Sequence, residues 1–174
     1  CGAPGGKSIN AALKMSEQGD CGRVIARDLS DYKVALIDEN IKRLNITNIQ
    51  TQVYDALDCD ESLINKADIV IADLPCSGLG IIGRKPDIKY NASPEKLQSL
   101  VDLQRDILKV VSRYVKSGGV LMYSTCTINR AENEDNADWI CKESGFTKDG
   151  EYHQLLPANN SGMDGFFVAR LIKN

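Results

Sequence analysis

The chain has 174 residues, 43% of them hydrophobic and 26% charged, which is the balance of an ordinary soluble globular domain with a sizeable core. Its formal net charge is −3, from 21 Lys and Arg against 24 Asp and Glu, so no overall positive field gathers a polyanion, and a nucleic-acid partner has to be held by a local basic patch or by another domain. The six cysteines show no CxxC spacing and no run of residues is apolar and long enough to span a membrane, which excludes a disulfide scaffold, a cysteine zinc site and a helical membrane protein and makes a reduced cytoplasmic setting the expectation.

Short apolar or β-branched runs alternate with segments of helical period, the pattern of an α/β fold with a mostly parallel sheet covered on both faces. After the glycine-rich opening, residues 8–18 read as a helix with Ile9, Ala12 and Leu13 inward, stopped by Gly19 and Gly22. RVIARD at 23–28 reads as a strand ending in an acid. Ser30 suits the N-cap of a helix reaching Leu44, because Val34, Ile37, Ile41 and Leu44 recur at intervals of three and four. NIQTQVYDA at 48–56 supplies a strand, and the apolar run in ADIVIADLP at 67–75 predicts a central strand, buried on both faces and ending at Asp73. Residues 74–93 carry Gly78, Gly80, Gly83 and Pro86 without a clean period, which predicts a functional loop. A long helix is expected over about 94–116, with Leu97, Leu100, Ile107, Leu108, Val111 and Val115 inward and Gly118-Gly119 closing it. VLMYSTC at 120–126 is the next strand, 132–144 a helix and DGFFVARLI at 164–172 the last strand. Neither a repeat nor a linker interrupts this order, so a single domain over 1–174 is expected.

The opening stretch CGAPGGKS ends like a phosphate-binding P-loop, yet the first glycine of that motif would fall on Cys1, and Pro4 lies where backbone N–H groups would cradle phosphate. A ligand without a triphosphate needs the glycines only for close backbone approach and an acid further on for a ribose. Asp28 stands at the end of the next strand, at about the spacing expected of such an acid, and Asp55 near the end of the one after. Strand-end turn chemistry with solvated carboxylates is the plain alternative for both.

DLPCSG at 73–78 and STCT at 124–127 each put a cysteine just beyond the carboxyl end of a strand, where open parallel sheets bind their ligands. On neighbouring strands about 4.8 Å apart, both thiols overlook one pocket. Cys126 also precedes an N-x-x-E pattern, Asn129 to Glu132, whose helix dipole would favour a thiolate. Cys21, Cys59 and Cys141 read as small buried hydrophobes. His153 is the single histidine, and nothing is built around it; DCDE at 58–61 lacks calcium-loop spacing, so no metal site is expected.

Taken together, CGAPGGKS, ARDLS, VYDA, DLPCSG, GRKPDIKY, GGVLMYSTCTINRAENE and DGFFVARLIK, in this order, resemble the Sun-type (Nop2/Sun family) RNA cytosine-5 methyltransferases, most of all the bacterial members that act on small-subunit ribosomal RNA. The resemblance implies a Rossmann-like class I methyltransferase sheet, mostly parallel with an antiparallel C-terminal strand, that binds S-adenosylmethionine. By it, Cys1 belongs to the cofactor-binding residues, Gly2, Ala3, Pro4, Gly5, Gly6 and Lys7 lie on the methionine side of the cofactor, Asp28 on its ribose, Asp55 in its adenine region, and Asp73 between cofactor and target base. It further implies Cys126 as nucleophile and Cys76 as the group assisting product release. Arg84, Lys85, Lys89 and Tyr90 are the basic and aromatic patch that the charge balance requires for RNA.

Departures from the family pattern are Leu74 and Gly2, where alanine is frequent, and Arg130-Ala131, where Pro-Glu is common; none removes a reacting group. The fold implied also needs a central strand directly before Cys1, so the chain is expected to be a piece of a longer protein with an RNA-binding region upstream, acting as a monomer. Two other readings stay open: a methyltransferase acting on a small molecule or protein, which leaves the two cysteines unexplained, and a non-catalytic module that binds cofactor or ribosomal RNA.

Overall fold

A computed structural model describes residues 1–157 and 162–174, which fall into two compact units, Cys1–Asp58 and Cys59–Asn174. In the first unit, helix α1 (Gly6–Glu17), strand β1 (Val24–Asp28), helix α2 (Asp31–Arg43) and strand β2 (Ile49–Val53) follow in order. β1 and β2 are parallel neighbours, in register from Val24 opposite Ile49 to Asp28 opposite Val53. Ile9 and Ala12 of α1, Ala26 of β1, and Val34 and Ile37 of α2 make the core. Helix α1 starts two residues before the expected position because Gly5, at φ 101°, turns the chain into the helix in a conformation that only glycine adopts without strain. The predicted cap of α2 forms, with Ser30 Oγ accepting from Lys33 N–H. Leu13 and Leu44, expected inward, are exposed. Leu44 is the residue after the helix, and the chain turns away at Asn45, φ 52°. Strand β2 ends at Val53 rather than at 56, where Asp55 begins a turn of its own.

The second unit holds a mixed sheet in the order β3 (Ala67–Asp73), β4 (Val115–Thr125), β7 (Phe166–Lys173), β5 (Phe146–Lys148), with β6 (His153–Leu155) also on β7. β3 and β4 are parallel, whereas β7 runs antiparallel to β4, β5 and β6, so the C-terminal strand has the expected direction. Leu121 and Tyr123 of β4, Phe167, Ala169 and Leu171 of β7, and Leu108 and Ile140 from helices α4 (Pro94–Val111) and α5 (Glu134–Ser144) form its core. A short helix α3 (Ile88–Asn91) lies in the segment between β3 and α4.

Three expectations need correction here. β3 is not a central strand: it is the end member of its sheet, and Ile69 and Ile71 are exposed. Helix α4 ends at Val111, followed by a 3-10 turn over Ser112–Tyr114 and by β4 from Val115. Gly118 and Gly119 therefore interrupt a strand instead of closing a helix. The register jumps from Ala67 opposite Val115 to Ile69 opposite Val120, and Gly118, at φ 74°, makes the bulge. Third, the helix expected from 132 begins at Glu134, after a 3-10 turn over Arg130–Glu132. Strands β5 and β6 are unanticipated; three residues each, FTK and HQL, are too few to show a period.

Candidate active site

β3 and β4 run side by side in the same direction, with Asp73 opposite Ser124, so the segments that leave them emerge together. Leu74 N–H still donates to the Ser124 carbonyl, and Leu74 itself is buried. Cys76 and Cys126, three and two residues farther on, bring their sulfurs to 3.3 Å. Around them the two segments are cross-linked: the Ser77 and Thr127 hydroxyls are 2.7 Å apart, Gly80 N–H donates to the Cys126 carbonyl at 3.1 Å, and Ser124 Oγ donates to Asp73 Oδ1 at 2.8 Å.

The two thiols are not equivalent. A hydrogen bond from the Cys76 thiol lowers the Cys126 pKa to about 7, with burial and the Asp73 carboxylate opposing and Lys85 assisting. The same bond, together with burial, pushes Cys76 upward, so Cys76 holds the shared proton. The largest cause of the lowering is thus the neighbouring thiol, while α5 begins at Glu134, past the Asn129–Glu132 pattern expected to open it. A cavity of about 200 Å³ opens beside Cys76, lined also by Ser77, Ile88, Ala92, Lys96 and Leu97.

The segment over 74–93 contains a 3-10 turn, Leu79–Ile81, and α3, and it carries the expected basic patch. Lys85, Lys89 and Tyr90 are exposed, Tyr90 at 79%, with Lys89 Nζ 4.8 Å from the Tyr90 ring centroid. Arg84 is ion-paired with Asp164 at 3.0 Å, which reduces its field. Gly80 threads this segment against the end of the chain: its N–H meets the Cys126 carbonyl and its own carbonyl accepts from Gly165 N–H at 2.7 Å.

In the first unit the glycine-rich loop folds back on β1. Gly2 N–H donates to the Arg27 carbonyl, Gly5 N–H to the Gly2 carbonyl, and Ala3 N–H to Asp28 Oδ2 at 2.9 Å. A Cβ on Gly2 would lie 3.0 Å from the Arg27 carbonyl, so glycine permits the close approach there. Asp28 sits at the end of β1 as expected but is only 2% exposed. Burial disfavours its charge, and the N–H groups of Ala3 and Leu29 more than offset this, leaving its pKa lowered. Asp55 Oδ1 accepts from Leu57 N–H at 2.9 Å, a turn of the kind offered as its plain alternative. Cys1, Pro4, Gly6 and Lys7 are exposed, Gly2 and Ala3 less so, and a Cβ on Gly6 would meet nothing within 4 Å. An open glycine turn feeding the first N–H groups of a helix supplies donors that fit the carboxylate of an adenosyl amino acid, and the Asp28 carboxylate on the adjoining strand end is an acceptor of the kind its ribose hydroxyls need.

Sequence reasoning missed the polar core under the thiols. Gln104, Glu132, Asn133 and Asn136 are buried, and only Glu132 drew notice, as a helix-cap residue. Instead Asn129 Nδ2 donates to Glu132 Oε1, and Thr125 Oγ1 and Gln154 bond Asn133. Polar residues inside a helix carry no signal in an amphipathic count, so only their position on the apolar face of α4 would have marked Gln104. Cys21 is exposed, and Cys59 and Cys141 are half-buried, so Cys21 in particular is not the buried hydrophobe expected. His153 lies on β6, exposed, and among the described residues no acidic, histidine or cysteine cluster has the spacing of a metal site. No described helix is long and apolar enough to cross a membrane.

Residues 1–172 match the family model described as 16S rRNA methyltransferase RsmB/F. The chain is 37% identical over 192 residues to the probable ribosomal RNA small subunit methyltransferase B of Bacillus subtilis (strain 168), covering 99% of the chain and 42% of that protein. It is 33% identical over 191 residues to ribosomal RNA small subunit methyltransferase F of Escherichia coli O157:H7 (strain EC4115 / EHEC), covering 98% and 38%. The structure of NSun6 from Pyrococcus horikoshii with SFG superposes with a TM-score of 0.81 at 26% identity, covering 98% of the chain and 46% of that one. The chain thus spans about two-fifths of the length of these curated relatives. A Rossmann-like mixed sheet with a reversed last strand, two adjoining thiols beyond parallel strand ends and a family match over nearly every residue lead to one conclusion: the chain belongs to the 16S rRNA methyltransferase RsmB/F family.

Proposed function

We propose that the protein of which this chain is part methylates carbon 5 of a cytosine in small-subunit ribosomal RNA, with Cys126 as nucleophile and Cys76 assisting product release. The observation that carries the reading is the Cys76–Cys126 pair at 3.3 Å, one thiol held acidic by the other. S-adenosylmethionine, when bound, supplies a methyl group on a sulfonium; the NSun6 structure contains SFG, an analogue of it. Cys1 is assigned to the cofactor site, Gly2, Ala3, Pro4, Gly5, Gly6 and Lys7 to the methionine end, Asp28 and Asp55 to the ribose and adenine, and Asp73 to the region between cofactor and base.

Carbon 5 of cytosine is too weakly nucleophilic to be methylated directly. Attack of the Cys126 thiolate on carbon 6 converts the ring into an enamine with its electron pair at carbon 5, dividing one hard step into two. Asp73 accepts from the exocyclic amine, and from the ring nitrogen once that nitrogen takes a proton from water as charge develops there, a proton that returns to water when the ring is restored. Once Cys126 is bonded to carbon it is no longer an acceptor for the Cys76 proton, and the largest cause of the raised Cys76 pKa is gone. Cys76 then gives its proton to water, and the thiolate so formed, or a water it orients, takes the carbon-5 proton, while the returning electron pair expels the Cys126 thiolate. The cavity beside Cys76 and the exposed Lys85, Lys89 and Tyr90 support a single-stranded or looped RNA target, whose base must be unstacked to react. Bisulfite mapping of ribosomal RNA from cells with and without the intact protein tests this directly: one cytosine loses protection in the deletion. Methylation unchanged at every cytosine contradicts the proposal.

A further inference from the structure

Glu132 is fully buried and has no part in the chemistry above. Its Oε2 accepts from Ser77 N–H and from Gln104 Nε2, and its Oε1 from Asn129 Nδ2, each at 2.9 Å. The three donors come from three separate pieces of chain: the segment leaving β3, helix α4, and the segment leaving β4. Gln104 Nε2 also donates to the Pro75 carbonyl at 2.8 Å. Both residues that flank Cys76 are therefore tied to the same two buried side chains.

The orientation of this pair is set from behind. Asn136 Nδ2 donates to Gln104 Oε1 at 2.8 Å, and Arg105 Nε donates to Asn136 Oδ1 at 2.9 Å, which leaves the Gln104 amide nitrogen pointing at Glu132. The Tyr123 hydroxyl fixes the other end by donating to the Glu132 backbone carbonyl. On the far side, Asn129 N–H donates to Thr127 Oγ1, the residue after Cys126. A carboxylate is required because all the groups converging on it are donors; glutamine offers one acceptor oxygen and turns its own N–H groups on the rest. Hydrogen bonds are short and directional, so small displacements of the Cys76 segment break the thiol contact.

We infer that Glu132, oriented by Gln104, is the positioning residue of the two-thiol site, clamping the segment that carries Cys76 to the segment that follows Cys126 so that the sulfurs stay in contact. The inference deepens the functional reading above and rests on it for its biological meaning. A buried acid that only completes the core would stabilise the fold without setting the state of Cys126.

E132Q in the full chain separates the two roles. The readout is the pH profile of Cys126 alkylation by iodoacetamide, mapped by peptide mass spectrometry, with thermal denaturation measured in parallel. Asp73 and Lys85, the other charges acting on Cys126, are unchanged in the variant. Loss of the clamp moves the alkylation midpoint up by about one unit, and alkylation at pH 7 falls about five-fold. An unmoved profile overturns the inference, whatever happens to the melting temperature. Q104M removes the donor to Pro75 and one donor to Glu132, and should shift the profile the same way by less; if E132Q does not fold, Q104M decides with the same two outcomes. No RNA enters this measurement, so its failure leaves the methyltransferase reading standing, and failure of that reading leaves the thiol profile as expected.

Discussion

The sulfurs of Cys76 and Cys126 meet at 3.3 Å although fifty positions separate the residues. Parallel pairing of β3 with β4 makes this possible, since it sends both strand ends to the same edge of the sheet. The contact divides one proton between two thiols, and the division has consequences that can be measured.

Methylation in a single turnover should rise with pH through about 7. The sign follows from direction: the Cys126 pKa lies below the ordinary thiol value of 9.0, so the reactive thiolate accumulates as pH climbs through the lowered value. Cys76→Ala removes the largest cause of that lowering and moves the Cys126 alkylation midpoint upward. A midpoint that stays put in Cys76→Ala would show that the lowering comes from elsewhere.

Asp73→Asn tests the hydrogen bonds proposed for the base. Ser124 Oγ has an acceptor in either side chain, so the fold should hold. Single-turnover methylation is expected to fall by about 10² or more, in the range seen when a preorganised group at developing charge is lost. A loss of less than about three-fold argues against that role.

Two glycines of the same segment should behave oppositely. A Cβ on Gly80 would lie 2.5 Å from the Gly165 carbonyl and 2.7 Å from that of Cys126, all backbone, so Gly80→Ala forces the segment apart. About 1–3 kcal/mol of destabilisation in urea unfolding is expected, with methylation reduced as well. Gly83→Ala, where a Cβ meets nothing within 4 Å, should leave stability nearly unchanged.

RNA binding should depend on salt through Lys85 and Lys89 more than through Arg84. Lys85→Ala is expected to reduce the slope of log affinity against log salt by about one. Asp164→Ala frees Arg84 from its ion pair and should tighten binding. Equal slopes in parent and Lys85→Ala would remove this residue from the interface.

Much of this arrangement could be read in advance where chemistry is local. Ser30 caps α2 because a hydroxyl before an apolar period does so wherever the chain is free to turn, and Asp73 ends β3 where the apolar run ends. That each cysteine lies just past a strand end is legible in the sequence, whereas the pairing of those two strands is only a condition of the reading, and the structure supplies it. What local pattern could not supply was long-range pairing. An apolar run does not reveal how many neighbours a strand has, so β3 looked central while Ile69 and Ile71 are exposed. Gly118-Gly119 reads equally well as a helix stop and as a bulge, and the bulge wins because β4 pairs with β3 on both sides of it. The Gln104–Glu132 contact joins residues 28 positions apart and buries polar groups that composition counts as surface.

The central claim is a covalent bond between Cys126 and the target base, and trapping it is the most direct test. RNA carrying 5-fluorocytosine at the target has no carbon-5 proton to lose, so a reacted enzyme cannot release it. Incubated with the full-length protein and S-adenosylmethionine, such RNA should give a denaturant-stable adduct mapped by mass spectrometry to Cys126, absent in Cys126→Ala, while Cys76→Ala should accumulate an adduct even with unmodified cytosine. An adduct mapped to Cys76, or methylation that survives Cys126→Ala, would contradict the account.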